Sequence, residues 1–128
     1  MTLFICVDDG LGLAFNGRRQ SRDSIVCADI LNSCGELTVS SYSAPLFDGA
    51  KVRVDDKLGG EAVFAEREDA AELAGKAEKL VIYNWNRRYP ADVRLPQRAE
   101  ELGFSLAERA EFAGSSHEKI VKEIYIRR

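Results

Sequence analysis

The chain reads as a single α/β domain: a mixed sheet, mostly parallel at its centre, with two main helices and a C-terminal antiparallel hairpin. Three observations carry that expectation. Residues 3–7 and 80–85 are short apolar runs, the pattern of strands buried on both faces. Residues 21–34 and 68–76 space their apolar side chains as helices do. Residues 104–112 and 119–127 alternate apolar and polar, as strands with one solvated face do.

The first strand, 3–7, ends at Asp8, Asp9, Gly10 and Gly12, and a loop runs from there to about Gln20. Ser21 is placed to cap a helix over 21–34, whose stripe is Val26, Cys27, Ile30, Leu31 and Cys34; Gly35 stops it. A strand is expected over 37–42, with Pro45 in the turn after it, and weaker strands over 51–54 and 62–65. The second helix, 68–76, has Glu68 and Asp69 in its first turn, where acids suit the helix dipole. Strand 80–85 follows. Residues 86–96 hold two prolines and read as irregular, with a short strand over 93–95. Residues 113–118 link the last two strands into an antiparallel pair.

Composition bounds the function classes. The 128 residues carry 18 Lys+Arg against 21 Asp+Glu, a net charge of −3, and 45% are apolar. That length suits one domain, and that balance excludes a disordered chain. No apolar run approaches the ~20 residues of a membrane span. The start shows neither a basic lead nor a cleavage site, so a cytoplasmic location is expected. The acidic excess argues against broad nucleic-acid binding but not against a local basic site. The three cysteines, Cys6, Cys27 and Cys34, form no C-x-x-C or Cys/His cluster, so they read as small buried hydrophobes, and no metal centre is expected. Gly10-Leu-Gly12 lacks the third glycine of a dinucleotide fingerprint, and no Walker loop, H-E-x-x-H or nucleophile elbow occurs.

Four segments carry residues with chemistry. Asn16-Gly-Arg18-Arg19-Gln-Ser-Arg22-Asp23 concentrates three arginines where a loop feeds a helix, and a helix start adds free N–H groups. Trp85-Asn-Arg87-Arg-Tyr89-Pro-Ala-Asp92 follows a central strand and pairs aromatics with arginine, a combination that stacks on planar ligands. Ser115-Ser116-His117 holds the sole imidazole, a general acid or base near neutral pH. Asp8 and Asp9, adjacent on a strand, point to opposite faces and do not make a metal pair.

These blocks, with Phe112-Ala-Gly-Ser-Ser-His-Glu-Lys-Ile120, resemble a group of short bacterial proteins, some of which bear the label ribonuclease Z. That label implies a two-zinc centre built on H-x-H-x-D-H, which a chain with one histidine does not supply. The order of strand, Val-Asp-Asp…Asn-Gly loop, helix and closing pair near Tyr125-Ile-Arg127 is similar to dihydrofolate reductase. The resemblance implies that family's fold and an acid near the first helix, here Asp23, that binds the pterin. It departs from the family in lacking a Trp in the loop before that helix and a Gly-Gly pair after a central strand.

The expected function is binding of a small anionic ligand, phosphorylated or nucleotide-like. Arg18, Arg19 and Arg22 hold its charge, Trp85 and Tyr89 stack on it, and Asn16, Asp23 and Asp92 orient it, with Arg87, Ser115 and Ser116 beside them. One alternative is an enzyme, a phosphodiester hydrolase of ribonuclease type or a reductase, with His117 moving the proton. The other is an interaction module for an acidic protein partner. Neither a cofactor nor an oligomeric state follows from the sequence.

Overall fold

The computed structural model describes residues 1–48 and 50–128. In chain order the strands are β1 (Thr2–Val7), β2 (Gly12–Phe15), β3 (Arg18–Arg19), β4 (Thr38–Val39), β5 (Arg53–Val54), β6 (Ala62–Phe64), β7 (Lys79–Asn84), β8 (Val93–Arg94), β9 (Phe104–Phe112) and β10 (Ile120–Arg127). Helix α1 spans Ser24–Asn32, α2 spans Glu68–Ala74, and a 3-10 helix covers Ala44–Phe47. A seven-stranded sheet runs β5-β4-β6-β1-β7-β10-β9, and β3-β2-β8 form a small antiparallel sheet beside it. Strands β5, β4, β6, β1 and β7 are mutually parallel; β10 is antiparallel to both β7 and β9. This is the expected mixed α/β single domain.

Strands β1 and β7 pair in register, Leu3 with Leu80 and Ile5 with Ile82. The strand period of two then divides the core into two layers. Leu3, Ile5, Val63, Leu80 and Ile82 meet the small face of α2, made by Ala70 and Ala74. Phe4, Phe64, Val81, Tyr83 and Trp85 meet α1 through Val26 and Ile30. Among the described residues no helix is long and apolar enough to cross a membrane.

Four expectations need correction. The loop expected to reach Gln20 contains β2 and β3, a hairpin closed by Asn16 and Gly17 with φ of 54° and 75°. Both turn residues lie in the left-handed region, the geometry whose twist matches a two-residue hairpin. Helix α1 is capped by Asp23 rather than Ser21, because the Asp23 carboxylate accepts from Ile25 and Val26 N–H. The strand expected over 37–42 narrows to Thr38–Val39, since the chain turns at once and Ser43 N–H reaches back to the Ser40 carbonyl. The cysteines are free, as expected, but half-buried rather than buried.

Candidate functional site

The carboxyl ends of β1 and β7 and the link before β10 arrive at one end of the sheet. The anchor beneath them is Asp8, fully buried just past the end of β1. Its Oδ1 accepts from Gly10 and Gly12 N–H (2.9 and 2.7 Å), and its Oδ2 from Tyr89 N–H and Gln20 Nε2 (2.9 and 3.2 Å). Burial opposes the Asp8 charge, but the N–H groups of Tyr89, Gly12 and Gly10 outweigh it and hold the carboxyl below its ordinary range. One carboxylate thus ties the segment around Gln20 to the turn after β7. That turn is sharp: Asn86 has φ 58°, and its N–H is taken by the Asn84 side chain at 2.7 Å.

Asp23 organises the second layer. Its two oxygens accept from six donors: Ile25 N–H, Val26 N–H, Ser115 N–H and hydroxyl, Ser116 N–H and His117 Nδ1. Burial again opposes the charge; the His117 contact and the N–H groups of Ser115, Ser116 and Val26 overcome it and hold Asp23 well below the usual carboxylate range. An ionised carboxylate only accepts, so His117 Nδ1, 2.9 Å from Oδ2, carries a proton. In the neutral ring Nε2 then offers its lone pair to two hydroxyls, Ser21 at 3.0 Å and Tyr89 at 3.1 Å. The imidazole stacks on the Trp85 indole with centroids 4.6 Å apart and planes 20° from parallel, and its side chain is 1% exposed.

Gly114 exists at this point because nothing larger fits. A Cβ there would collide with the Asp23 carboxylate, lying 2.8 Å from its Cγ. Gly114→Ala should therefore lower stability by about 2 kcal/mol, whereas Gly35→Ala, which meets nothing within 4 Å, should leave the steric fit untouched. Urea denaturation checks both, and an unchanged midpoint for Gly114→Ala would contradict the packing.

The three arginines separate. Arg19 is neutralised internally, with Nε 2.7 Å and Nη2 3.1 Å from the two oxygens of Glu66, a buried acid that also accepts from the Ser43 hydroxyl at 2.7 Å. Its guanidinium also lies over the Tyr42 ring, 4.6 Å from the centroid. Arg18, Arg22 and Arg87 are exposed and have no acidic partner among the described residues.

Several expected ligand contacts are already taken by the chain. The exposed Asp92 carboxylate accepts from Asn16 N–H at 3.0 Å and thereby holds the β2–β3 turn. Trp85 is buried against His117, so that indole face is closed to a ligand. Both Asp23 oxygens are filled from within, which leaves no position for a pterin on them. Ser115 and Ser116 are exposed; Ser115 Oγ accepts from Ser24 N–H and Ser24 Oγ at 3.0 and 2.8 Å.

Sequence reading missed Glu66, Tyr42 and the Ser21–His117 contact. A lone acid after a weak strand carries no local mark of its partner. Ser21 and Asp23 did carry one, because residues two apart on extended chain project to the same side.

Two thiols border the site. Burial pushes the Cys6 and Cys27 thiols up, with Glu66 adding to the effect, which favours their protonated form. Among the described residues no group of three or more His, Cys, Asp or Glu could hold a metal ion.

No protein-family profile matches the chain, and no curated protein does. Among solved structures it is similar to dihydrofolate reductase from Enterococcus faecalis complexed with NADP(H) and RAB-propyl. The TM-score is 0.70 at 10% identity, covering 99% of this chain and 95% of that one. Nothing in the fold or the donor set supports the ribonuclease Z label. The residues here do not fit a dinucleotide cofactor, whose pyrophosphate needs an open helix N-terminus and close backbone approach. At α1 those N–H groups are filled by Asp23 and Ser115. At α2 the start is preceded by Glu66 and carries Glu68 and Asp69 in its first turn, three acids where phosphate would sit. The chain is thus built on the fold of dihydrofolate reductase, with both helix starts closed by its own residues.

Proposed function

We propose that the protein binds a small anionic ligand, phosphorylated or nucleotide-like, at this end of the sheet. The observation that carries the reading is the division among the arginines. Arg19 is spent on Glu66, while Arg18 and Arg22 on either side of it remain unpaired among the described residues. Guanidinium groups without internal carboxylates suit phosphate, which they engage with two parallel hydrogen bonds. Arg22 borders a recess of about 190 Å³ shared with Ser24, Ser115 and Ser116; the Ser24 and Ser115 hydroxyls donate within the chain, and the Ser116 hydroxyl is the further donor toward a ligand. Arg18 borders a second, of about 290 Å³, with Phe15, Tyr89 and Pro90. Phe15 is 48% exposed and offers the planar part of a ligand the surface that buried Trp85 does not. In this reading Asp23 and His117 are positioning residues that hold the serine link against α1, and Arg87 adds to the positive rim.

Thermal shift against inorganic phosphate, ribose 5-phosphate, nucleoside monophosphates and NADPH tests it. A ligand that binds only the folded state at 100 times its Kd adds about 2.7 kcal/mol, or roughly 6 °C or more for a domain of this size. The shift should shrink with salt and vanish in Arg18→Ala/Arg22→Ala. If no compound moves the melting temperature, the reading fails, and docking of an acidic protein partner to the same arginines takes its place.

A further inference from the structure

We propose that Ser21 is a nucleophile and that the chain cleaves esters of acetyl-sized acids through a Ser21–His117–Asp23 relay. The geometry is that of an activated hydroxyl. Ser21 Oγ is 3.0 Å from His117 Nε2, and His117 Nδ1 is 2.9 Å from Asp23 Oδ2. Asp23 keeps the proton on Nδ1, so the lone pair of Nε2 faces both the Ser21 and the Tyr89 hydroxyls, and it takes the Ser21 proton when the Tyr89 hydroxyl turns its own proton aside. The ring is held in place: Trp85 stacks on one face, and the side chain is almost wholly buried. Asp23 has extended backbone, φ −156° and ψ 123°. Ser21 and Asp23, two residues apart, grip the two nitrogens of one imidazole from a single strand-like segment.

The surroundings set the substrate. Ser21 and Arg22 line a cavity of about 20 Å³ whose walls include Cys6, Val26, Ile30 and Trp85 together with the mutually neutralised Arg19–Glu66 pair. That space holds roughly one water molecule or methyl group, so the acyl chain is short. Arg22, on the same lining and without an acidic partner among the described residues, supplies a positive charge for the developing oxyanion.

The chemistry balances with water alone. Ser21 Oγ bonds to the acyl carbon as its proton passes to Nε2. The tetrahedral intermediate collapses, the carbon–oxygen bond to the leaving group breaks, and that oxygen takes the proton from Nε2. Water, deprotonated by the same nitrogen, then releases the carboxylic acid and restores Ser21. This inference does not depend on the anion reading: phosphate-induced thermal shifts test that one, and acylation tests this one.

The experiment uses the full chain with p-nitrophenyl acetate, p-nitrophenyl octanoate and a fluorophosphonate. The acetate should give a burst of about one p-nitrophenolate per chain, and peptide mapping should find both the acetyl and the phosphonyl group on Ser21. Ser21→Ala should lower the rate at least about 100-fold with little change in melting temperature, Ser21→Cys should restore a burst, and the octanoate should react more slowly. Labelling of wild-type protein decides the matter even if a variant fails to fold. No burst, adducts on another residue, or an unchanged rate in folded Ser21→Ala would each overturn the proposal.

Discussion

Asp23→Ala should cost about 3–5 kcal/mol of folding stability, the largest effect expected of a single polar substitution in this chain. Asp23 is 3% exposed, and its carboxylate joins two segments more than 90 residues apart, the start of α1 and the link before β10. Removing it strands four backbone N–H groups and one imidazole N–H. Asp23→Asn should recover only part of the loss, because an amide turns two N–H donors toward partners that are themselves donors. Urea denaturation at neutral pH measures both, and a cost below about 1 kcal/mol for the alanine variant would contradict this account.

The same group sets a pH dependence whose sign follows from its depressed pKa. In the unfolded chain Asp titrates near about 3.9, so acid protonates the unfolded state before it protonates Asp23 in the fold. Between those two values the unfolded state binds more protons, and stability rises with pH. The contribution of Asp23 is complete above about pH 5 and drains away as pH falls toward 2. The difference in stability between wild type and Asp23→Ala should therefore narrow over that acid range. A difference that stays constant from pH 6 to 3, values chosen as roughly bracketing the unfolded pKa, would mean that the carboxylate is not the source.

Glu66→Ala should cost about 3 kcal/mol, because it leaves the Arg19 guanidinium and the Ser43 hydroxyl facing a vacancy. Arg19→Met should cost a similar amount, since a buried acid then loses its countercharge. The double variant Arg19→Met/Glu66→Ala should cost less than the two single losses combined, with a coupling of roughly 2 kcal/mol between the positions. Additive losses would show that the pair contributes nothing beyond packing. The pair also bears on the cleft. Glu66→Gln keeps an acceptor for Arg19 but removes the compensating charge, so the site becomes more positive and inorganic phosphate should bind more tightly.

Much of the frame was legible because it is written in local patterns. The runs at 3–7 and 80–85 became the adjacent parallel strands β1 and β7, since a segment apolar on both faces has nowhere to lie but the centre of a sheet. Alternation at 104–112 and 119–127 became the antiparallel pair β9–β10. Asn16-Gly17 also carries a local signal, that of a two-residue hairpin turn, and it closes β2 onto β3 inside the stretch expected as loop. The helix cap was displaced by two residues because Ser21 and Asp23 are equally good caps on local grounds. The choice fell to Asp23 once Ser21 had a distant imidazole to bond.

The site was legible as segments rather than as contacts. That 16–23, 85–92 and 114–119 carry the polar chemistry could be read from residue types; what each polar group does could not. Asp92 holds a turn, Trp85 covers an imidazole, and Arg19 answers a carboxylate 47 residues away. Sequence by itself determined which stretches are strands and helices and how many faces each must bury, because period and side-chain size act over a few residues. Only the tertiary structure decided which arginines have an acidic partner and which nitrogen of His117 faces the Ser21 and Tyr89 hydroxyls. Those outcomes depend on hydrogen bonds and ion pairs, which act over about 3 Å between groups that only the packed sheet brings within reach.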